Sequence, residues 1–412
     1  MTVRVDPRAA ATEARIAAET FPDGEAGWAS AARQAACKRL RDFGLPQRRD
    51  EYWRFTDPAR VTGRAAAGQV ELPAELAGRP GLSLPMNVAS AAAGIVVEPL
   101  TQALKADVSW VSDVFGQLEA DAHRPVPRAL AALVTAFATH GAAMRVTGDA
   151  GQYVVDHNAL PDGGLSHSVL KLDEGSNLTL IEVGTPRAGS LSLLEIEIGA
   201  GATLHHLRLQ DGLQTGVAHV VARIGAGGGY QGFTLGAQGT GLRNETVLTL
   251  AGSDGRAHVG AAWIGQGDVH HDDTVFITHA APNCESRQVF RSVLGRGAVA
   301  AFQGKILVNQ IAQKTDGYQL SQSLLLDDDA QFLGKPELEI YADDVKCSHG
   351  STTGSIDETA LYYLRSRGVP ERQARHLLVL AFLNGTLDEV ADPGLREILE
   401  NRISALAEQF LT

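Results

Sequence analysis

The chain has 412 residues, 44% of them hydrophobic, which at roughly 150 residues per domain predicts two or three structural units and excludes a disordered chain. Lys and Arg number 36 against 48 Asp and Glu, a formal net charge of −12, so binding to DNA, RNA or anionic lipid would work against repulsion from the whole molecule. Glycine fills 44 positions, above the usual ~7%, and asks for a backbone with many tight turns.

Cys37, Cys284 and Cys347 lie far apart with no CxxC pair, which argues against a disulfide framework or a self-contained zinc finger and for a reducing compartment. The opening MTVRVDPRAAATEARIAAETF carries charges every few positions and lacks the apolar stretch of a secretion leader. No uncharged apolar run approaches the ~18 residues of a membrane helix. A cytoplasmic protein is expected, with neither nucleic acid nor membrane as partner.

In chain order, the first 60 residues are Ala-rich at helical spacing, and Ala26 to Phe43 continues the pattern to a stop at Gly44 and Pro46. Glu51-Tyr52-Trp53-Arg54-Phe55-Thr56-Asp57 is aromatic-rich in a chain with only 6% aromatics, and reads as a packing anchor or an interaction surface around Trp53 and Arg54. Residues 62–104 show no clear period, and Val108 to Met144 return to helical spacing, broken at Pro125 and Pro127. The N-terminal region, mostly helical, is placed at 1–144.

Over 145–350 the pattern becomes short alternating apolar runs split by Gly, Asp and Asn: LTLIEV at 178, LSLLEIEI at 191, LHHLRL at 204, AHVVARI at 218, YQGFTL at 230, ETVLTL at 245 and AHVGAAWI at 257. Their starts lie 13, 13, 14, 12, 15 and 12 residues apart, with Gly175, Gly201 and Gly227 keeping step. Near-constant spacing with turn glycines and no helices between strands predicts stacked coils, a β-helix. A two-sheet sandwich is the alternative, though its strands usually recur at about 8–12 residues. An aliphatic residue every sixth position, the mark of a left-handed hexapeptide solenoid, is absent.

Residues 351–412 are helical again. Ser355 and Glu358 suggest a capping box, Thr386 and Glu389 a second, and Asp392-Pro393 opens a last helix carrying Leu395, Ile398, Leu399, Ile403, Leu406 and Phe410. These helices are expected to cap the open end of the solenoid and to leave an outer face for a partner.

The densest chemical cluster is Tyr341-Ala-Asp-Asp-Val-Lys-Cys-Ser-His-Gly350. On an extended backbone Cys347 and His349 project to one face, a soft and a borderline ligand for Fe or Zn, with Asp343 and Asp344 nearby. Two ligands fall short of the usual four, so a second chain or a transient substrate would complete the site. The same spacing also fits a small buried cysteine and a satisfied loop histidine. A Cys–His nucleophile would need an orienting third group, for which there is no local sign. His270-His271-Asp272-Asp273, His279 and Cys284 form a weaker cluster, read as a solvated turn followed by a strand. His205-His206 sits in a strand explained by Leu204, Leu207 and Leu209. GAGGG at 225–229 lacks the Lys-Ser/Thr of a phosphate loop and reads as a corner, and Leu326-Asp-Asp-Asp329 as a solvated turn.

Taken together, these segments resemble a known family. The 44-residue run KPELEIYADDVKCSHGSTTGSIDETALYYLRSRGVPERQARHLL, Lys335 to Leu378, closely resembles a signature of the SufB/SufD scaffolds of iron-sulfur cluster assembly. CSHG over Cys347 to Gly350 is similar to the SufD branch rather than to SufB. EYWRFTDP is similar to the family's entry motif, and HAAPNCESRQVF with AFQGKILV resembles its later coils; the likeness is weakest over 62–145.

The resemblance implies a right-handed parallel β-helix flanked by helical regions. It also implies a non-enzymatic scaffold that pairs with a SufB-like paralogue through the β-helix and binds a SufC-like ABC ATPase through the C-terminal helices. Asp357, Leu361, Tyr362, Arg365 and Arg375 are the candidate ATPase contacts. By position His349 matches the histidine held to help retain the nascent cluster at the SufB interface, and Cys347 its neighbour; His279 and Cys284 are weaker candidates. The cargo implied is a transient iron-sulfur cluster or iron shared with the partner, and a flavin at the level of the complex is left open. Two other classes remain at this point. A polysaccharide-cleaving β-helix is disfavoured by the net charge and the missing leader, and a structural homodimer joined edge to edge would need no cargo.

Overall fold

The computed structural model describes residues 6–410 except 64–69, 85–86, 89–91, 107, 185–187 and 213–214. Two long sheets face each other. One has ten strands and the other nine, and from Ala142–Val146 to Lys346–Gly354 each strand pairs in parallel with the strand two further along the chain. The chain therefore alternates between sheets, two strands per coil, in a parallel β-solenoid. Two of the strand spacings read from the sequence make one coil, the 26-residue step that separates Gly175, Gly201 and Gly227. Gly175, Gly201 and Gly227 each take a positive φ, between 64° and 67°, at equivalent corners, where a left-handed conformation costs a glycine no Cβ clash.

Both faces of each sheet are buried in the middle of the solenoid, but against different things. Inward rows fill the lumen with Leu180, Leu194, Ile196, Leu248, Val275 and Ile277 among others. Outward rows of the nine-stranded sheet meet the N-terminal helices, including Gly27–Phe43 and Ala129–Phe137, through Leu191, Leu193, Val221, Val247 and Phe276. The segment Val108 to Met144 is three short helices, Ser109–Ser112, Gln117–Asp121 and Ala129–Phe137, and Met144 already belongs to the strand Ala142–Val146. Buried Glu195 fastens this layer: its carboxylate accepts from the Gly116 and Glu119 amides at 2.7 Å and from His167 Nε2 at 2.7 Å. The amides are the unpaired donors that open the helix Gln117–Asp121.

The C-terminal helices Glu358–Ser366, Glu371–Asn384 and Pro393–Phe410 do not cap the open end of the solenoid; they lie along the outer face of the ten-stranded sheet. The outward row Leu209, Leu235, Ala262 is apolar, whereas its continuation Arg291, Gln322, Thr352 is polar. Apolar helix faces cover the apolar stretch, and beyond it the helix Glu371–Asn384 still meets the polar row, where Arg291 donates to Phe382 O at 2.5 Å. The helix starts also differ from expectation. Asp357, not Ser355, caps the first, accepting from Thr359 N at 2.8 Å and Ala360 N at 3.2 Å. Thr386 makes no side-chain cap, its hydroxyl donating instead to Leu383 O, while Asp392 caps the last helix as expected. No helix among the described residues is long and apolar enough to cross a membrane.

Inside the lumen Trp263 lies over Gly236, where an added Cβ would fall 1.6 Å from the indole. Gly236→Ala is therefore expected to displace the indole and cost about 1–3 kcal/mol, as overpacking of a filled core does. Urea unfolding followed by tryptophan fluorescence would show both the lower midpoint and a shifted native emission.

Candidate functional site at the open end of the solenoid

The last coil consists of Gln331–Ile340 and Lys346–Gly354, each the terminal strand of its sheet. Earlier strands are mostly buried; these two are half-buried or exposed along nearly their whole length. Their outer edges offer unpaired backbone groups, and Ile311, Ile340 and Tyr341 stand exposed at the adjacent corner.

Parallel registry fixes which way the site residues point. Cys347 pairs with Gly317 and His349 with Gln319, and ladder partners project to the same face. Gln319 is fully buried in the lumen and Cys347 packs beside the lumen residues Ile306 and Val308, so Cys347 and His349 both face the mouth of the lumen. The i, i+2 geometry expected from the sequence is present. His349 is exposed, with no hydrogen bond or ion pair among the described residues. Burial pushes the Cys347 thiol above its ordinary value against a weaker opposing pull from the Gly317 amide, which disfavours a resident thiolate until a cation or partner supplies compensation.

Asp344 is tied to Lys314 by an ion pair and a backbone hydrogen bond. Among the described residues no three His, Cys, Asp or Glu side chains converge as a metal site. The lumen mouth thus presents two donors of the kinds iron accepts, an imidazole and a thiol, short of a full coordination shell.

The other sequence candidates lie elsewhere. His279 bonds Ser286 Oγ at 2.8 Å, and burial drives its pKa down to about 4. Cys284 donates to Gly252 O at 3.3 Å, and burial raises its thiol. Both are packing residues one coil or more inside. Trp53 is buried beneath the Arg243 guanidinium, 4.1 Å from its ring centroid, while Arg54 is exposed. Neighbouring Tyr52 donates to Glu337 at 2.5 Å and carries Lys335 Nζ 3.9 Å from its ring centroid, so the aromatic motif clamps the N-terminal region onto the last coils. Of the candidate ATPase contacts, Tyr362 is 74% exposed, Arg365 and Arg375 both pair with Glu371, Asp357 is the helix cap, and Leu361 is 2% exposed in the helical core.

His270 to Asp273 correct the sequence reading. They form no solvated turn but open the strand His270–His279, all four buried. His270 and Asp272 face the N-terminal layer and meet Thr56; His271 and Asp273 face the lumen around Trp263. Sequence reasoning also missed the ionic cluster there, in which Arg243 bridges Glu245, at 2.7 Å, and Asp272. A signal existed: Arg243-Asn244-Glu245 and Asp272-Asp273-Thr274 stack residue for residue in adjacent coils. His206 likewise is a buried hydrogen-bonding residue, held between Glu182 and Tyr230 at 2.7 and 2.9 Å.

Residues 155–382, more than half of the chain, match the family described as "SUF system FeS cluster assembly, SufBD core domain". The chain is 33% identical over 242 residues to the iron-sulfur cluster assembly protein SufD of Escherichia coli, covering 57% of each chain. It is 26% identical over 257 residues to SufD of Bacillus subtilis, covering 60% of this chain and 59% of that one. A SufBD family protein of Synechocystis is 39% identical over 137 residues, 33% of this chain and 29% of its own. The chain thus spans a little over half the length of the two SufD proteins it matches. With most of the solenoid inside the matched region, this chain belongs to the SufBD family of iron-sulfur cluster assembly proteins, as a SufD homologue.

Proposed function

We propose that this chain is a non-catalytic scaffold that closes its open last coil against a SufB-like paralogue and holds a nascent cluster, or its iron, at that junction. The observation that carries the reading is the position of His349: exposed, without a hydrogen bond or ion pair among the described residues, and facing the mouth of the lumen on the terminal strand. A partner solenoid docked end on would satisfy the free strand edges, cover the exposed corner residues and add the missing ligands. Cys347 lies in the same row as a second donor, its thiol awaiting a compensating cation.

The C-terminal helices are proposed to dock a SufC-like ABC ATPase. Tyr362 and Tyr363 present exposed aromatic surface on the helix Glu358–Ser366, away from the residues that pack against the sheet. Because these helices grip the flank of the solenoid instead of its end, an ATPase bound there leaves the open coil clear for the paralogue.

The test is anaerobic co-expression with SufB-like and SufC-like partners, followed by iron and acid-labile sulfide analysis of the purified complex. His349→Ala is expected to leave the complex assembled and to lower both severalfold. Unchanged loading in an intact complex would sink the cluster-holding role and leave this chain an architectural partner.

A further inference from the structure

The two free edges at the open end are not equivalent. Along the strand Gln331–Ile340, Gln331 N–H donates to Ala298 O and Tyr341 N–H, just past its end, to Val308 O, each at 2.9 Å, with unbroken registry between them. Backbone groups of successive residues in a strand point to opposite edges, so the odd-numbered positions bond the previous coil, and Phe332, Gly334, Pro336, Leu338 and Ile340 turn theirs to the free edge. In the strand Lys346–Gly354, Lys346 N–H donates to Thr315 O at 2.8 Å, which turns Cys347, His349, Ser351 and Thr353 to the free edge, each with an N–H to offer. The row on the other strand is broken at its centre. Pro336 has no N–H, and its ring Cδ stands where the hydrogen would be. Its own sheet loses nothing, because the missing donor would have faced outward. Pro336 also stands across from the site. A Cβ on Gly304 would fall 1.5 Å from Gln319 Nε2, and one on Gly334 2.7 Å from Ser351 Oγ, so these pairs oppose each other across the lumen. Gly304 is in register with Pro336 and Gln319 with His349, which sets Pro336 opposite His349 at the mouth.

We infer that a docked partner strand runs as an unbroken ladder along Lys346–Gly354 but pairs with Gln331–Ile340 only toward its ends, so that Pro336 keeps the joint open in the wall opposite His349. A strand laid against the middle of that edge would meet the proline ring and leave a carbonyl without a donor, which buried backbone groups avoid. The unbroken ladder fixes the partner's register at Cys347 and His349. The interrupted one leaves the imidazole approachable from the opposite wall while the two solenoids stay joined. This inference rests on the end-on docking proposed above and names the wall of that junction that stays incomplete.

The experiment is amide hydrogen–deuterium exchange, resolved to single residues by electron-transfer fragmentation, on the full chain alone and in the purified complex with SufB-like and SufC-like partners. Docking is expected to slow Cys347, His349, Ser351 and Thr353 by at least about tenfold, the weight of one net hydrogen bond. Gly334 and Leu338, the donors on either side of Pro336, should stay within about twofold of their rates in the chain alone. Pro336→Ala supplies the missing N–H and takes no bond from the chain's own sheet. In its complex Gly334 and Leu338 should slow as the other row does, and affinity for the SufB-like partner should rise by up to about tenfold. Gly334 and Leu338 slowed as much as His349 in the native complex would overturn the inference while leaving end-on docking intact, and so would a Pro336→Ala complex with the native rates. A complex that forms with none of these amides slowed would overturn end-on docking itself, and the inference with it. Should Pro336→Ala fail to fold, the comparison within the native complex decides.

Discussion

Arg243→Ala is expected to destabilise the fold by about 3–5 kcal/mol, the range for removing one partner of a buried ion pair. Arg243 is 1% exposed, donates to Glu245 and Asp272, and covers the Trp53 ring. Without it two carboxylates stay between the sheet and the N-terminal layer, with Arg128 as the cation still paired to Glu245. Equilibrium denaturation near neutral pH checks this, and a loss below about 1 kcal/mol would mean that water reaches the cluster. Acid should erase the difference. Burial acts to raise the Glu245 pKa, but Arg243, with His219 and Arg128, brings it down to about 2. A lowered carboxylate stabilises the fold above the unfolded value of about 4.3 and loses that contribution as pH falls toward 2, so native and variant curves should converge there.

Asp273 should show the opposite sign. Burial in the lumen raises its pKa to about 6, against Arg208 and the hydrogen bonds donated by Trp263 and Asn244. The folded state therefore binds this proton more tightly than the unfolded chain does. Its contribution is most favourable below pH ~4 and declines as pH rises through 6, by about 3 kcal/mol in all. The stability difference between the native chain and Asp273→Asn should thus move in favour of the variant by about that amount between pH 4 and 7. A difference that stays flat over this interval would show that Asp273 is already ionised at pH 4 in the folded protein. Comparing the difference across pH removes the fixed cost of replacing an acceptor oxygen by a donor beside Asn244.

The coils were legible because their signal is local: alternation within a strand, glycine at the corner, and a constant step between starts. The Cys347 and His349 pair was legible for the same reason, since i and i+2 on any strand share a face. What failed depends on which strands become neighbours. Four polar residues in a row, His270 to Asp273, look like a turn in one dimension; in the solenoid they alternate between two buried faces, and each face supplies partners from an adjacent coil or the N-terminal layer. The placement of the C-terminal helices was hidden likewise. An apolar helix face announces that it will be covered, but the row Leu209, Leu235, Ala262, Arg291, Gln322 becomes visible only once registry is known.

The two ends of the solenoid are unlike. At the far end one sheet finishes on the two-residue strand Asn87–Val88 and the other on the five-residue Ile95–Pro99, each laid antiparallel to its neighbour. Short terminal strands of this kind are poor templates for further pairing, whereas the strands of ten and nine residues at the His349 end are good ones. Valence follows from this asymmetry. A rod that can join at both ends grows into a filament; one that joins at a single end stops at two. The end-on docking proposed above would therefore stop at two solenoids, because it consumes the surface that would have permitted another.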